Sequence, residues 1–344
     1  MPERIAVVGA GIIGSLAARE IVASRPMAQV FLIDRGMVGL GASQRSAGVH
    51  IPIGKTERTR SMAAFSEHYY AQLAAAAPSL IFHALDLYAV VSHEAVTAFR
   101  HTLVACSDAS LTPPKCNGLL PWPTGFTTLP IPGCHYADVG TLARFVAREL
   151  RDHVSLLEGV AVEAIAEQRD GLDLMLGTKD TLLVDKVVLA PGPWVHAAGW
   201  RELIEPLDLR VKKIVAFHLD DPITEQPAAV LFPEEDAFII PMPDRGHWLY
   251  SYTCPEWDVV PDGVNGGVSD LNLREGRAVL QRYAPEPAPA IRSGRVFCDA
   301  YSPTREPVVA TVGKGGRVIF AGAANGSGYR LAPAIAAEVA QLLN

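Results

Sequence analysis

The chain has 344 residues, of which 49% are hydrophobic and 19% charged, with a formal net charge of −7. This length exceeds what one compact core usually holds, so two connected domains are expected, and the composition excludes a disordered chain. The acidic balance argues against broad nucleic-acid binding and against a basic membrane-facing surface.

The first apolar run, Ile5-Ala6-Val7-Val8, is broken at once by Gly9, Gly11 and Gly14 and reads as a strand rather than a leader. No stretch approaches the ~20 apolar residues that span a bilayer. The five cysteines, Cys106, Cys116, Cys134, Cys254 and Cys298, are scattered and form no CxxC pair. Neither a metal site nor a disulfide framework is therefore expected, and reduced thiols in a cytoplasm are the simple reading.

In chain order, residues 4–8 are a strand candidate, 15–24 a helix with apolar residues at helical spacing, and 29–33 a second strand ending on Asp34. Residues 36–54 are rich in Gly and Ser and read as a loop. A helix is expected over 59–77, a strand over 85–92, a proline-rich excursion over 112–132 and a helix over 138–150. Strands are expected over 155–165, 172–176 and 182–190. The closely spaced strands 211–219, 228–232, 237–241 and 248–253 suggest an antiparallel sheet. A helix over 271–283, a strand over 317–321 and a helix over 332–343 close the chain. The fold class is α/β with an α+β part. Residues 1–80, 138–205 and 295–344 are expected to form a discontinuous Rossmann-like domain, and 81–137 and 206–294 the substrate domain.

Gly9-Ala10-Gly11-Ile12-Ile13-Gly14 is a G-x-G-x-x-G turn between a strand and a helix. Gly9 permits the tight turn, Gly11 lets a pyrophosphate approach the backbone, and Gly14 lets the helix pack on the strands. The helix start offers free N–H groups and partial positive charge to the anion. Asp34 suits ribose hydroxyls and repels a 2′-phosphate. The turn alone does not separate FAD from NAD. Near the other terminus, Gly322, Gly326, Ser327 and Gly328 lie between a strand and a helix, where a flat ring can rest on backbone.

Five segments together resemble the D-amino-acid oxidase, glycine oxidase and sarcosine oxidase family of flavoproteins. They are the first turn with Asp34-Arg35; Gly41-Ala42-Ser43 followed by Arg45-Ser46-Ala47-Gly48; Val160-Ala161-Val162; residues 187–194, with Gly192 and Trp194; and residues 322–333, with Tyr329, Arg330 and Leu331. The resemblance implies FAD as cofactor, with the second segment along the flavin, Val162 near adenine and the last segment at the flavin ring. It implies hydride transfer from an amine-bearing carbon to the flavin, giving an imine from a small amine or amino acid. Oxygen is the expected acceptor. A dehydrogenase feeding a quinone or carrier, or an FAD-binding subunit of a larger complex, is the alternative, and oligomer formation stays open.

In such enzymes an Arg usually holds the substrate carboxylate, but Tyr301 stands at that position here. Arg305 and Arg330 are the nearby replacements, with Arg330 preferred. Arg305 can equally pair with Glu306, and Arg330 can equally be a scaffold residue. Tyr250 and Tyr252 alternate on one strand; one is expected to contact substrate, the alternative being ordinary strand aromatics. His50 either lines the site or ends its loop. Cys298 lies about one residue from where relatives attach FAD covalently, so non-covalent binding is expected. Lys212-Lys213 and the proline-rich stretch depart from the family's pattern.

Overall fold

The computed structural model describes residues 2–105, 125–223, 227–264, 267–283 and 291–343. It opens with the strand Arg4–Val8, the helix Ile12–Ser24 and the parallel strand Gln29–Asp34. These strands are the centre of a six-stranded sheet. Val154–Glu158 lies outside Gln29–Asp34. On the other side come Lys186–Leu189, Val318–Gly322 and Val308–Val312. All neighbours are parallel except the last pair. One face is covered by the helices Ile12–Ser24, Val139–Glu149 and Gly328–Leu342, whose Leu16, Val146 and Ile335 share one apolar cluster with Val7 and Val188. The other face packs on a small antiparallel sheet of Val162–Glu167, Leu172–Leu176 and Thr181–Val184, through Leu172 and Leu174. Burial on both faces explains why the central strands are almost purely apolar.

The second large sheet has seven strands, in the order Ile291–Tyr301, Arg210–Leu219, His247–Tyr252, Ala237–Met242, Ala229–Phe232, Leu87–Ser92 and Phe126–Ile131. Only Ala229–Phe232 and Leu87–Ser92 pair in parallel. Both faces are covered. On one, Phe217 and Tyr250 pack under Leu280 and Tyr283 of the helix Asp270–Tyr283. On the other, Ala216, Leu249 and Ile240 pack on Ile51 and Tyr136. Directly opposed residues of an antiparallel pair share a face. Val215 faces Tyr252, Phe217 faces Tyr250, Ala216 faces Ser251 and Lys212 faces Asp299. The register therefore sends Phe217, Tyr250 and Tyr252 to the helix, and Lys212, Ala216, Ser251 and Asp299 to the opposite side.

Several sequence expectations change. The loop over 36–54 contains a helical turn, Ala42–Arg45, and a short strand, Val49–His50, which pairs with His135–Ala137. Residues 155–165 are two strands in two sheets, parted near Gly159, which has φ +71°. Residues 182–190 are likewise two strands, with Asp185 at the break accepting a hydrogen bond from the Arg4 amide. Continuous hydrophobicity carries no mark of a change of sheet, which explains both errors. The 11-residue strand Ile291–Tyr301 was not foreseen. It belongs to the antiparallel sheet, so the expected boundary at 295 falls inside it. The closing helix starts at Gly328 rather than at 332. The proline-rich expectation, with Cys106 and Cys116, lies outside the described residues up to 124, and the strand Phe126–Ile131 follows.

Candidate active site

The parallel strands Arg4–Val8, Gln29–Asp34, Lys186–Leu189 and Val318–Gly322 end on one edge of the six-stranded sheet. Four connections therefore meet there: residues 9–14, 34–36, 190–194 and 322–328. Open parallel sheets bind ligands at this edge, where strands deliver loops and helix starts together. Gly9 has φ +102°, and a Cβ there would sit 2.2 Å from the Ala190 carbonyl oxygen. A Cβ on Gly14 would sit 1.8 Å from the Gly9 carbonyl oxygen. Neither position accepts a side chain without moving backbone.

Asp34 closes the first turn. Its Oδ2 accepts from the Ala10 amide at 2.7 Å and its Oδ1 from the Gly36 amide at 2.8 Å. The Val160 amide donates to the Asp34 carbonyl at 2.9 Å, which brings residues 160–162 to the same edge. Ser43 Oγ accepts from the Ile12 amide at 3.0 Å, so the 41–48 segment is tied to the helix start. Trp194 lies 3.2 Å from where a Gly41 Cβ would be, and Arg35 stacks over its ring at 4.2 Å. Asp262 joins these two, accepting from Trp194 Nε1 at 2.9 Å and from Arg35 at 2.6 Å. Sequence reasoning did not single out Asp262.

The segment at 45–48 is held against the antiparallel sheet. Arg45 donates to the Val296 carbonyl, and Arg295 donates to the Ser46 carbonyl, each at 3.2 Å. At the far end of the same strand the Gly326 amide donates to Asp299 Oδ2 at 2.9 Å. Tyr301 bridges to Ala324. The 45–48 segment thus meets the middle of one strand of the antiparallel sheet, and the closing glycine segment meets its C-terminal end. A Cβ on Gly328 would meet nothing within 4 Å, so backbone at the start of the closing helix lies uncovered, which fits a flat ring, while the start of the helix Ile12–Ser24 fits a pyrophosphate.

The predicted substrate-side residues separate. Tyr250 and Tyr252 point at the helix Asp270–Tyr283. The Tyr250 hydroxyl donates to the Gly276 carbonyl at 2.9 Å, the Tyr252 hydroxyl donates to Glu275 at 2.7 Å, and both rings stack near Phe217. They are structural aromatics on the wrong face, and Leu249 and Ser251 occupy the side expected of them. Arg305 is exposed, and Glu306, its expected partner, pairs with Arg58 instead.

Arg330 stands at the start of the closing helix. It donates to Ser327 Oγ at 2.5 Å, while its Nε is buried without a partner among the described residues. Burial pulls its pKa down to about 10. His50 is fully buried and stacks on His135 at 4.9 Å; neither of its ring nitrogens finds a partner among the described residues. Burial first, then His135 and Arg330, depress its pKa to about 3, so it is neutral near pH 7. Around it, His135 Nε2 lies 2.9 Å from the Tyr329 hydroxyl, and the Tyr70 hydroxyl donates to the Tyr329 carbonyl at 2.6 Å. This network fixes the helix start that carries Arg330. Cys298 sits in an apolar cluster with Val211 and Ala300, and burial raises its thiol to about 11.

A family model described as FAD dependent oxidoreductase, DAO, matches residues 4–342. The chain belongs to this family of FAD-dependent oxidoreductases. A search of curated proteins finds no match. Among solved structures, the fold is similar to glycine oxidase from Geobacillus kaustophilus, with TM-score 0.79 and 18% identity over 99% of this chain and 95% of that one. L-proline dehydrogenase from P. horikoshii superposes with TM-score 0.81 and 17% identity over 100% and 94%. Iminodiacetate oxidase from Chelativorans sp. BNC1 gives 0.76 and 17% over 99% and 95%. Among the described residues no cluster of His, Cys, Asp and Glu could hold a metal ion, and no helix is long and apolar enough to cross a membrane.

Proposed function

We propose that this flavoenzyme oxidises a small amine or amino acid at the carbon bearing the nitrogen, with FAD held non-covalently and oxygen as the acceptor. The observation that carries the reading is the meeting of both glycine turns, 9–14 and 322–328, on one edge of the six-stranded sheet. FAD, when bound, accepts the hydride. The protein's own residues do the rest.

The first-turn amides of the helix Ile12–Ser24 lack intrahelical partners and suit the pyrophosphate. Asp34 keeps lone pairs for ribose hydroxyls. The partial positive charge at the start of the closing helix would stabilise negative charge on a reduced ring held against it. Arg330 supplies a guanidinium for an anionic substrate group. Burial and the nearby Arg330 cation, which hold His50 neutral, also favour a neutral amine, the form from which hydride can leave. No side chain is assigned as a general base, because orientation and exclusion of water suffice once the amine is neutral. The imine product is released to water. A buried, protonated Cys298 makes a poor partner for covalent attachment.

The purified protein should be yellow, and acid precipitation should leave the colour in the supernatant. A panel of amines and amino acids under anaerobic conditions should include one that bleaches the flavin. Turnover in air should then release hydrogen peroxide. Turnover without peroxide moves the reading to a dehydrogenase, and a protein whose flavin no amine reduces removes the enzymatic reading.

A further inference from the structure

One loop of the antiparallel sheet crosses to the glycine edge of the parallel one. Residues 256–258 run beside the strand Arg210–Leu219: the Lys213 amide donates to the Glu256 carbonyl at 3.0 Å, and Trp257 bridges to Lys212. The Glu256 side chain accepts from Lys213 Nζ at 2.8 Å and from Asn272 at 2.9 Å, and Asp258 accepts from Arg210 at 2.6 Å, so the base of the loop is fixed. The chain then turns at Asp258, φ +56°, and one short helical turn, Pro261–Gly263, presents Asp262 to the six-stranded sheet. There Asp262 Oδ1 accepts from Arg35 at 2.6 Å and from Trp194 Nε1 at 2.9 Å, and its Oδ2 accepts from Arg35 at 3.2 Å.

Arg35 follows Asp34, and Trp194 stands in the connection after Lys186–Leu189, so one carboxylate from the far sheet ties together two of the four connections that meet at the edge. Val264 packs on the apolar clusters of both sheets, and Val259 on that of the parallel sheet. The loop borders an open cleft of about 420 Å³, lined by Lys213, Val259, Val260 and Val264. Its tip is not buried: the Arg35 and Asp262 side chains are 50% and 60% exposed. An exposed ion pair is weak by itself, and the fork geometry of Arg35 and the Trp194 contact add to it. A strap fixed at its base, bordering open space and closed at its tip by an exposed contact can open without breaking either core.

We propose that residues 256–264 are a strap across the glycine edge and that Asp262 is its latch, which retains FAD while closed and lets it exchange when open. Asp262 is a positioning residue: it acts through Arg35 and Trp194, and no contact with FAD is required of it. This rests on the FAD-binding edge of the reading above and adds control of cofactor exchange to it, leaving the chemistry of oxidation aside.

Release of flavin from the holoenzyme after dilution into buffer without FAD reads the latch directly. Asp262→Ala should release FAD about 10-fold faster than wild type, the order expected for a lost charge-assisted contact at a half-exposed site. Asp262→Asn, which keeps an acceptor for Trp194 and loses the charge facing Arg35, should fall between them. Added salt should speed release from wild type more steeply than from Asp262→Ala, because it screens an exposed ion pair. Release at the wild-type rate overturns the proposal. So does a flavin-free Asp262→Ala chain whose unfolding midpoint drops as far as that of its holoenzyme, the mark of a brace between the sheets that has no bearing on FAD. The unmodified chain gives a second reading that needs no variant: FAD should slow amide hydrogen exchange over residues 259–264, and equal exchange with and without FAD overturns the latch. Amine bleaching with release indifferent to Asp262 sinks the latch alone, whereas Asp262-dependent release in a protein that no amine reduces sinks the activity alone.

Discussion

The glycine edge of the parallel sheet and the antiparallel sheet differ in how far a short window of sequence fixes the placement of a residue. At the edge each residue's role follows from backbone: Gly9 sits at φ +102° against the Ala190 carbonyl, and no other residue type suits it. On the antiparallel sheet a residue's role depends on which face it occupies, and a shift of one position reverses it. Tyr250 and Tyr252 looked like substrate contacts and are scaffold; Lys212 looked like an oddity and lies on the face that meets the glycine segment. Steric constraints are local and can be read in a short window, whereas the face of a sheet is set by partners distant in sequence.

The comparison can be broken most severely at the turn. Gly9→Val meets both a left-handed backbone and a carbonyl at 2.2 Å, so it should cost more than ~2 kcal/mol. Thermal unfolding should show the loss, and the purified protein should carry no flavin. A Gly9→Val protein that keeps its flavin would mean the turn is not the nucleotide cradle.

The next effect in size concerns pH. His50 and His135 have folded pKa values of about 3 and about 4, both lowered chiefly by burial from an ordinary 6.5. The unfolded chain therefore binds more protons than the fold between about pH 6.5 and these values, and stability falls as pH drops through that window. The loss should be read as a midpoint in denaturant titrations that falls steadily as pH drops through the window. His50→Leu should flatten the slope, and an unchanged slope would place the acid sensitivity elsewhere.

Tyr250→Phe sharpens the contrast between the two faces. It removes a buried hydroxyl from the Gly276 carbonyl and should cost about 1 kcal/mol of stability. Turnover should stay within twofold of wild type, and a large loss of kcat would return Tyr250 to the site. The smallest effect belongs to Cys298→Ala. Flavin content and its release by acid should not change, because the thiol lies in an apolar cluster on the side opposite Asp299.

Much of the architecture was visible in advance for identifiable reasons. The strand Arg4–Val8, the helix Ile12–Ser24 and the strand Gln29–Asp34 each carry a periodic apolar pattern bounded by glycine or acid. The helix Val139–Glu149 was announced by Asp138, whose side chain caps it by accepting from the Thr141 amide at 2.8 Å. The strand Ile291–Tyr301 was hidden because Arg295, Asp299 and Gly294 interrupt its apolar pattern, and it is stabilised by ten residues of pairing with a strand far away in sequence. Asp262 was hidden because an exposed-looking loop carboxylate has no local signature; only folding brings it to Arg35 and Trp194.

The sequence by itself determined the steric rules of the glycine turns, the βαβ opening, the alternation of the late strands and, through five ordered segments, the flavoprotein family. Tertiary structure alone decided which strands share a sheet, which face each side chain takes, and which charges meet. The division has one cause. Backbone permission is a property of a residue and its immediate neighbours, whereas burial and charge pairing exist only once residues such as Arg35, Trp194 and Asp262 have been brought together.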